Sequence, residues 1–251
     1  MEEKAMDVQR FITKLDSYYM VNDLGSADKL IDTWAKDAEE AGDKRALLTV
    51  MNEGLGFYRR TNNYDKAMQC IEKVTSLIEE VGVQRKVSGA TVYVNMATTM
   101  KAFGKAAEGL KYYDMAESVY LDGDMNDAYE YSALLNNRAA ALSELKRYDE
   151  AELNLIIALE ILKKDDKHEG EVAVALINLA HLVYDRNDKD TDRVESLLDE
   201  AWERLVNGKQ AHDGNYAFII SKCAPSFRYF NRPDEADALE AVAKVIYDGE
   251  Q

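Results

Sequence analysis

Histidine, cysteine and clustered acids are the side chains that most readily move protons, attack carbonyls or hold metals. The chain of 251 residues offers three histidines, His168, His181 and His212, and two cysteines, Cys70 and Cys223. His168-Glu169 opens like the H-E-x-x-H zinc site, but position 172 is valine where a second ligand one turn later is required. It reads instead as a helix-start pair. The run at 122–127, Asp-Gly-Asp-Met-Asn-Asp, opens like a calcium loop. Asp127 occupies the place of the turn glycine, however, and Ala133 that of the closing bidentate glutamate. Cys70 and Cys223 are isolated in apolar helical segments, without the close spacing of disulfide frameworks or zinc sites, and read as reduced core residues. No G-x-x-x-x-G-K-[ST], G-x-G-x-x-G or G-x-S-x-G segment occurs. The expectation is therefore a chain that is not an enzyme, with no catalytic residues, no cofactor and no metal.

Bulk properties narrow the partners. With 31 Lys and Arg against 47 Asp and Glu the formal charge is −16, so the averaged surface repels phosphate backbones and anionic lipid. Neither nucleic acid nor membrane is expected as a partner. Residues 1–10 are charged and lack the apolar stretch of a secretion signal, and no 18-residue apolar run occurs, so the expected location is the cytoplasm. Two prolines and 13 glycines are too few to punctuate a β-sandwich, while 47% apolar residues suffice for a core. The composition points to helix.

The elements that position these residues repeat. Tyr64-Asp65-Lys66-Ala67, Tyr148-Asp149-Glu150-Ala151 and Pro233-Asp234-Glu235-Ala236 are copies of one segment. Taking the small residue as anchor gives Ala27, Ala67, Gly109, Ala151, Val194 and Ala236, at intervals of 40, 42, 42, 43 and 42. Ile31, Ile71, Tyr113, Leu155 and Leu198 lie four residues after an anchor, with Glu240 the exception, and Trp34, Val74, Ala116, Ala158, Ala201 and Ala243 lie seven after. These spacings mark one helix face. A preceding helix carries Leu15, Leu55, Ala97, Ala139, Ala180 and Ala224, followed three residues on by Tyr18, Tyr58, Met100, Leu142, Val183 and Phe227. Short polar turns join the two helices and force them antiparallel. Small residues let the helices of a hairpin approach, and aromatics, Tyr58, Tyr112, Tyr113 and Tyr148 among them, fill the space between hairpins. Trp34 and Trp202 fall at the seam on second helices.

This ordering of small, aromatic, turn, aromatic and small residues resembles the tetratricopeptide repeat. The period near 42, where the usual one is about 34, is similar to the long-helix subclass of kinesin light chains and bacterial peptide-sensing regulators. The resemblance implies an all-α superhelix of about six hairpins forming a single domain over 1–251. Its units run approximately over 3–41, 44–81, 86–121, 126–164, 168–207 and 212–248. The fifth unit has two extra residues in its inner turn, at 187–192, which is expected to protrude. Only 15 residues follow Ala236, so the last helix must cap the stack or meet another subunit, and a homodimer is one outcome.

The resemblance also implies that first helices line a concave groove in which an asparagine before the small residue bonds a peptide backbone. Asn95, Asn137 and Asn178 lie two residues before Ala97, Ala139 and Ala180. An amide offers donor and acceptor alike, so such a row could hold an extended segment whatever its side chains. It could equally satisfy a neighbouring helix or turn. Asn52, Arg59, Lys101, Asn136, His181, Tyr184 and Arg228 are expected to point the same way, giving a locally positive groove suited to an acidic segment. The implied function is a protein- or peptide-binding adaptor or scaffold. Alternatives are a peptide-sensing regulatory module whose output lies on a partner chain, since residues 1–40 hold no basic recognition helix, and a self-assembling scaffold.

Overall fold

Aspartate or asparagine stands just ahead of the first turn of half the described α-helices, where its side chain can take an otherwise unpaired backbone N–H. Asp7, Asp23, Asp43, Asn63, Asp190 and Asp213 each accept the N–H three residues on, at 3.0 to 3.2 Å. The computed structural model describes residues 6–122, 128–186 and 190–249. Among them are twelve α-helices and no strand. Residues 123–127 of the calcium-like run and half of the long turn of the fifth repeat, 187–189, lie outside the described residues.

The chain divides into two units, Met1–Asp127 and Ala128–Gln251. In the first, α1 (Val8–Met20) pairs with α2 (Leu24–Ala41), α3 (Lys44–Arg60) with α4 (Tyr64–Val81), and α5 (Val87–Ala102) with α6 (Ala106–Asp122). In the second, the pairs are α7 (Ala128–Glu144) with α8 (Tyr148–Leu162), α9 (Glu169–Asp185) with α10 (Thr191–Asn207), and α11 (Gly214–Tyr229) with α12 (Pro233–Gly249). A 3₁₀ turn, Asp166–His168, precedes α9. Inside each unit the first helix of one hairpin also lies against the first helix of the next.

The anchors are buried in every hairpin, as are all six small or leucine residues of the first helices. The +4 positions are buried except Glu240, which is exposed. Ion pairs join successive hairpins: Lys66 reaches Asp28 and Asp32 of α2 at 2.7 and 2.8 Å, Arg186 and Arg193 both meet Glu152 of α8, and Arg232 meets Asp199 of α10 at 2.7 Å.

Five hairpin turns share one device. The residue five before the anchor has a left-handed backbone: Asn22 (φ 53°), Asn62 (55°), Gly104 (73°), Lys146 (59°) and Asn231 (62°). Glycine adopts this conformation freely and asparagine tolerates it, whereas a lysine Cβ is crowded. Lys146→Asn should therefore stabilise the chain by about 0.5–1 kcal/mol, read as a higher urea midpoint. A lower midpoint would mean that Lys146 contributes something the turn geometry does not require.

Candidate functional site

The first-helix faces bring amides together in pairs. Asn95 on α5 donates from Nδ2 to Oδ1 of Asn52 on α3 at 2.9 Å, and Asn178 on α9 donates to Asn136 on α7 at 3.0 Å. The partners are 43 and 42 residues apart, one repeat, so the same bond recurs in both units. Each pair uses one N–H and one carbonyl. The carbonyls of Asn95 and Asn178 accept no hydrogen bond from the described residues. Asn137 departs from the expected row: its Nδ2 donates to Ala133 O of its own helix at 2.9 Å, the local bond that a mid-helix asparagine readily makes. Asn136, one residue earlier, takes the inter-helix position.

In the first unit the Asn52 amide borders a cleft of about 420 Å³ between α3 and α5. Leu48, Val83 and Val92 give it apolar walls, with Arg45, Thr49 and Thr91 at the polar margin. Two turns along α3 stands Arg59. Its Nη1 is buried without a hydrogen-bond acceptor among the described residues, and burial lowers its pKa. Lys101 holds the equivalent place on α5, one repeat later. Arg228 departs from the expected groove: its guanidinium lies 2.9 Å from both Asp237 and Glu240 of α12, so its charge is balanced within its own hairpin.

His181 on α9 lies 3.0 Å from Ser226 Oγ of α11, and burial lowers its pKa against an opposing pull from Asp185. The ring is thus not the extra positive charge that residue type alone suggests. Tyr184 packs beside it against Tyr229 and Phe230. Neither of the last two was singled out by spacing, since both fall outside the anchor pattern.

Acids also enter this face. Burial raises the Glu53 carboxyl, Asp16 adds to the rise, and the Asn52 amide opposes it. The folded chain holds this proton to higher pH than the unfolded one. Stability from the protonated form is present below the ordinary carboxylate range and is lost as pH rises through the folded value. Glu53→Gln should raise stability at pH 7 by about 0.5–1 kcal/mol and change it little at pH 4, in parallel thermal melts. An equal effect at both pH values would sink this account.

The groups with chemical reputations are otherwise occupied. Burial pushes the thiols of Cys70 and Cys223 up to about 12, far from a reactive thiolate. His168 precedes α9, and Glu169, only 8% exposed, takes Arg204 Nη1 at 2.8 Å. Trp34 and Trp202 lie on α2 and α10 against Phe11 and Phe227.

Neither a family model nor a curated protein matches the chain. Among solved structures, the kinesin light chain nearly identical TPR-like repeats of Podosopora anserina align at 16% identity. The alignment covers 81% of this chain and 96% of that one, with a TM-score of 0.54. The fold is that of a tetratricopeptide-like repeat. Structures of BtubC from P. vanneervenii and of a tetratricopeptide repeat protein from Parabacteroides merdae also align. The first is 18% identical over 98% of this chain and 92% of its own, with a TM-score of 0.47; the second is 14% identical over 95% and 93%, with a TM-score of 0.46. No described helix is long and apolar enough to cross a membrane.

Proposed function

We propose that the chain is a cytoplasmic adaptor, a single repeat domain over residues 1–251, that holds an extended segment of a partner protein along its first helices. The observation that carries this reading is the recurring amide pair, Asn52 with Asn95 and Asn136 with Asn178, whose second carbonyls are left for another donor. A peptide N–H is such a donor, and amides one repeat apart meet successive parts of an extended chain without selecting its side chains. In the first unit the 420 Å³ cleft supplies an apolar seat beside the amides, and Arg59 with Lys101 favours an acidic group farther along. Side-chain preference on this reading comes from the cleft and the cations, and holding comes from the amides.

The test is selection from a random peptide display library, followed by affinity measurement on wild type, on the Asn95→Ala, Asn178→Ala double variant and on Asn137→Ala. The double variant should weaken selected peptides about tenfold or more, consistent with loss of two hydrogen bonds, while Asn137→Ala leaves them unchanged. Equal affinity across all three proteins would make the amides structural and move the binding surface elsewhere.

A second reading, self-association, is favoured by the aliphatic stripe on α12. Val242 and Val245 are exposed on the last helix, and Val245 is 71% accessible. Light scattering decides it: a mass that doubles with concentration and reverts in Val245→Lys supports it, and a monomer at all concentrations removes it.

A further inference from the structure

Where α9 and α11 end, three aromatic rings stand at right angles to one another. Tyr184 and Tyr229 are 5.9 Å apart between centroids at 85°, Tyr184 and Phe230 5.6 Å at 84°, and Tyr229 and Phe230 5.0 Å at 87°. His181 is tilted against Tyr229 and Phe230 at 5.2 and 4.7 Å. Tyr229 is 59% exposed, so one wall faces solvent. Near-perpendicular rings at these separations present both edges and faces, and a cation within about 6 Å of a ring face is drawn to its quadrupole.

The electrostatics of the place have one sign. Both α9 and α11 present their C-terminal, carbonyl ends here, the negative ends of their dipoles. Asp185 closes α9 and lies near enough to act on His181. The neighbouring cations are turned away: Arg186 pairs with Asp149 and Glu152 on α8, and Arg228 with Asp237 and Glu240 on α12. Lysine and arginine groups stand over seven other rings of the described chain, yet none stands over Tyr184, Tyr229 or Phe230.

The geometry points to a recognition corner for an alkylammonium group, formed by Tyr184, Tyr229 and Phe230 with Asp185, that takes a lysine or methylated lysine side chain of a partner protein. Among the described residues no lysine or arginine group stands over these rings. A methylated ammonium suits it best, because weaker hydration makes desolvation against the rings less costly. The site lies in the second unit and does not depend on the amide pair of the first.

The experiment titrates the full chain, carrying ring-labelled tyrosine and phenylalanine, with blocked trimethyl-lysine and with its neutral isostere in which carbon replaces the ammonium nitrogen. Blocked lysine and blocked arginine serve as further arms. Trimethyl-lysine should move the Tyr184 and Tyr229 resonances and bind at least tenfold tighter than the isostere. Tyr229→Leu should weaken it tenfold or more, and Tyr229→Phe less than about threefold. Asn95→Ala should leave it unchanged, so failure of the adaptor reading and failure of this one are distinguishable. Equal binding of cation and isostere, or no ring shifts at tens of millimolar probe, overturns the proposal. Should Tyr229→Leu fail to fold, the isostere comparison on wild type decides alone.

Discussion

Gly89→Ala should cost the first unit about 3 kcal/mol or more. A Cβ at position 89 would lie 2.0 Å from the carbonyl oxygen of Val83 and 2.8 Å from its carbonyl carbon. Both are backbone atoms, so no rotamer change relieves the overlap. Val83 is itself buried, and its N–H bonds to Ile78 O at the end of α4. The first turn of α5 and the last of α4 would have to separate. Gly56→Ala is the control: it lies within α3 and nothing stands within 4 Å of its added Cβ. Removing a helical glycine there should stabilise by about 0.5–1 kcal/mol. Urea titrations read through circular dichroism check both, and a Gly89→Ala midpoint equal to wild type would refute the close approach. Trp34 and Trp202 report on one unit each. In the single domain proposed above, Gly89→Ala also moves the Trp202 transition; if only Trp34 responds, the units melt independently.

Phe227→Ala should cost about 3–5 kcal/mol, concentrated in the second unit. Phe227 has no exposed surface, stands edge-to-face with Trp202 at 5.8 Å, and lies beneath the Arg232 guanidinium at 5.7 Å. Its loss opens a cavity, loosens the indole and removes the ring under Arg232, which itself ties α10 to the last hairpin through Asp199. Trp202 emission should shift to the red while the Trp34 environment stays as it was. Phe227→Leu, which keeps most of the volume, should cost less than about 1.5 kcal/mol. A cost for Phe227→Ala below that of the leucine variant would contradict the packing described.

Small residues at a fixed interval made the hairpins legible, because a second helix can approach only where Ala27, Ala67, Gly109 or Ala151 leaves room. The turns were readable for a related reason: asparagine and glycine supply the left-handed residue at Asn22, Asn62, Gly104 and Asn231, and only Lys146 disguises it. Face periodicity put Asn52, Asn95, Asn136 and Asn178 on first helices, but the expected row ran through Asn137, and the pairing of Asn52 with Asn95 and of Asn136 with Asn178 came only with the structure. Periodicity could not say where long or bifunctional side chains end. Arg228 has several rotatable bonds and found two acids on α12, and Asn137 found a carbonyl four residues back in its own helix. Such choices depend on local partners within a few ångströms, which a repeat period of forty residues does not resolve. The perpendicular rings were hidden for the same reason, since Tyr229 and Phe230 belong to a turn junction outside the repeated pattern.

The neighbour-only packing of hairpins within each unit also bears on mechanical load. Successive anchors lie about 42 residues apart, and within each unit the described hairpins lean on their neighbours in sequence. Pulled from its two ends in an optical trap, such a chain yields from its least supported hairpin and then pays out length in near-equal increments of about 140 Å of contour. It would give way as a ratcheted tether and not as a single brittle link.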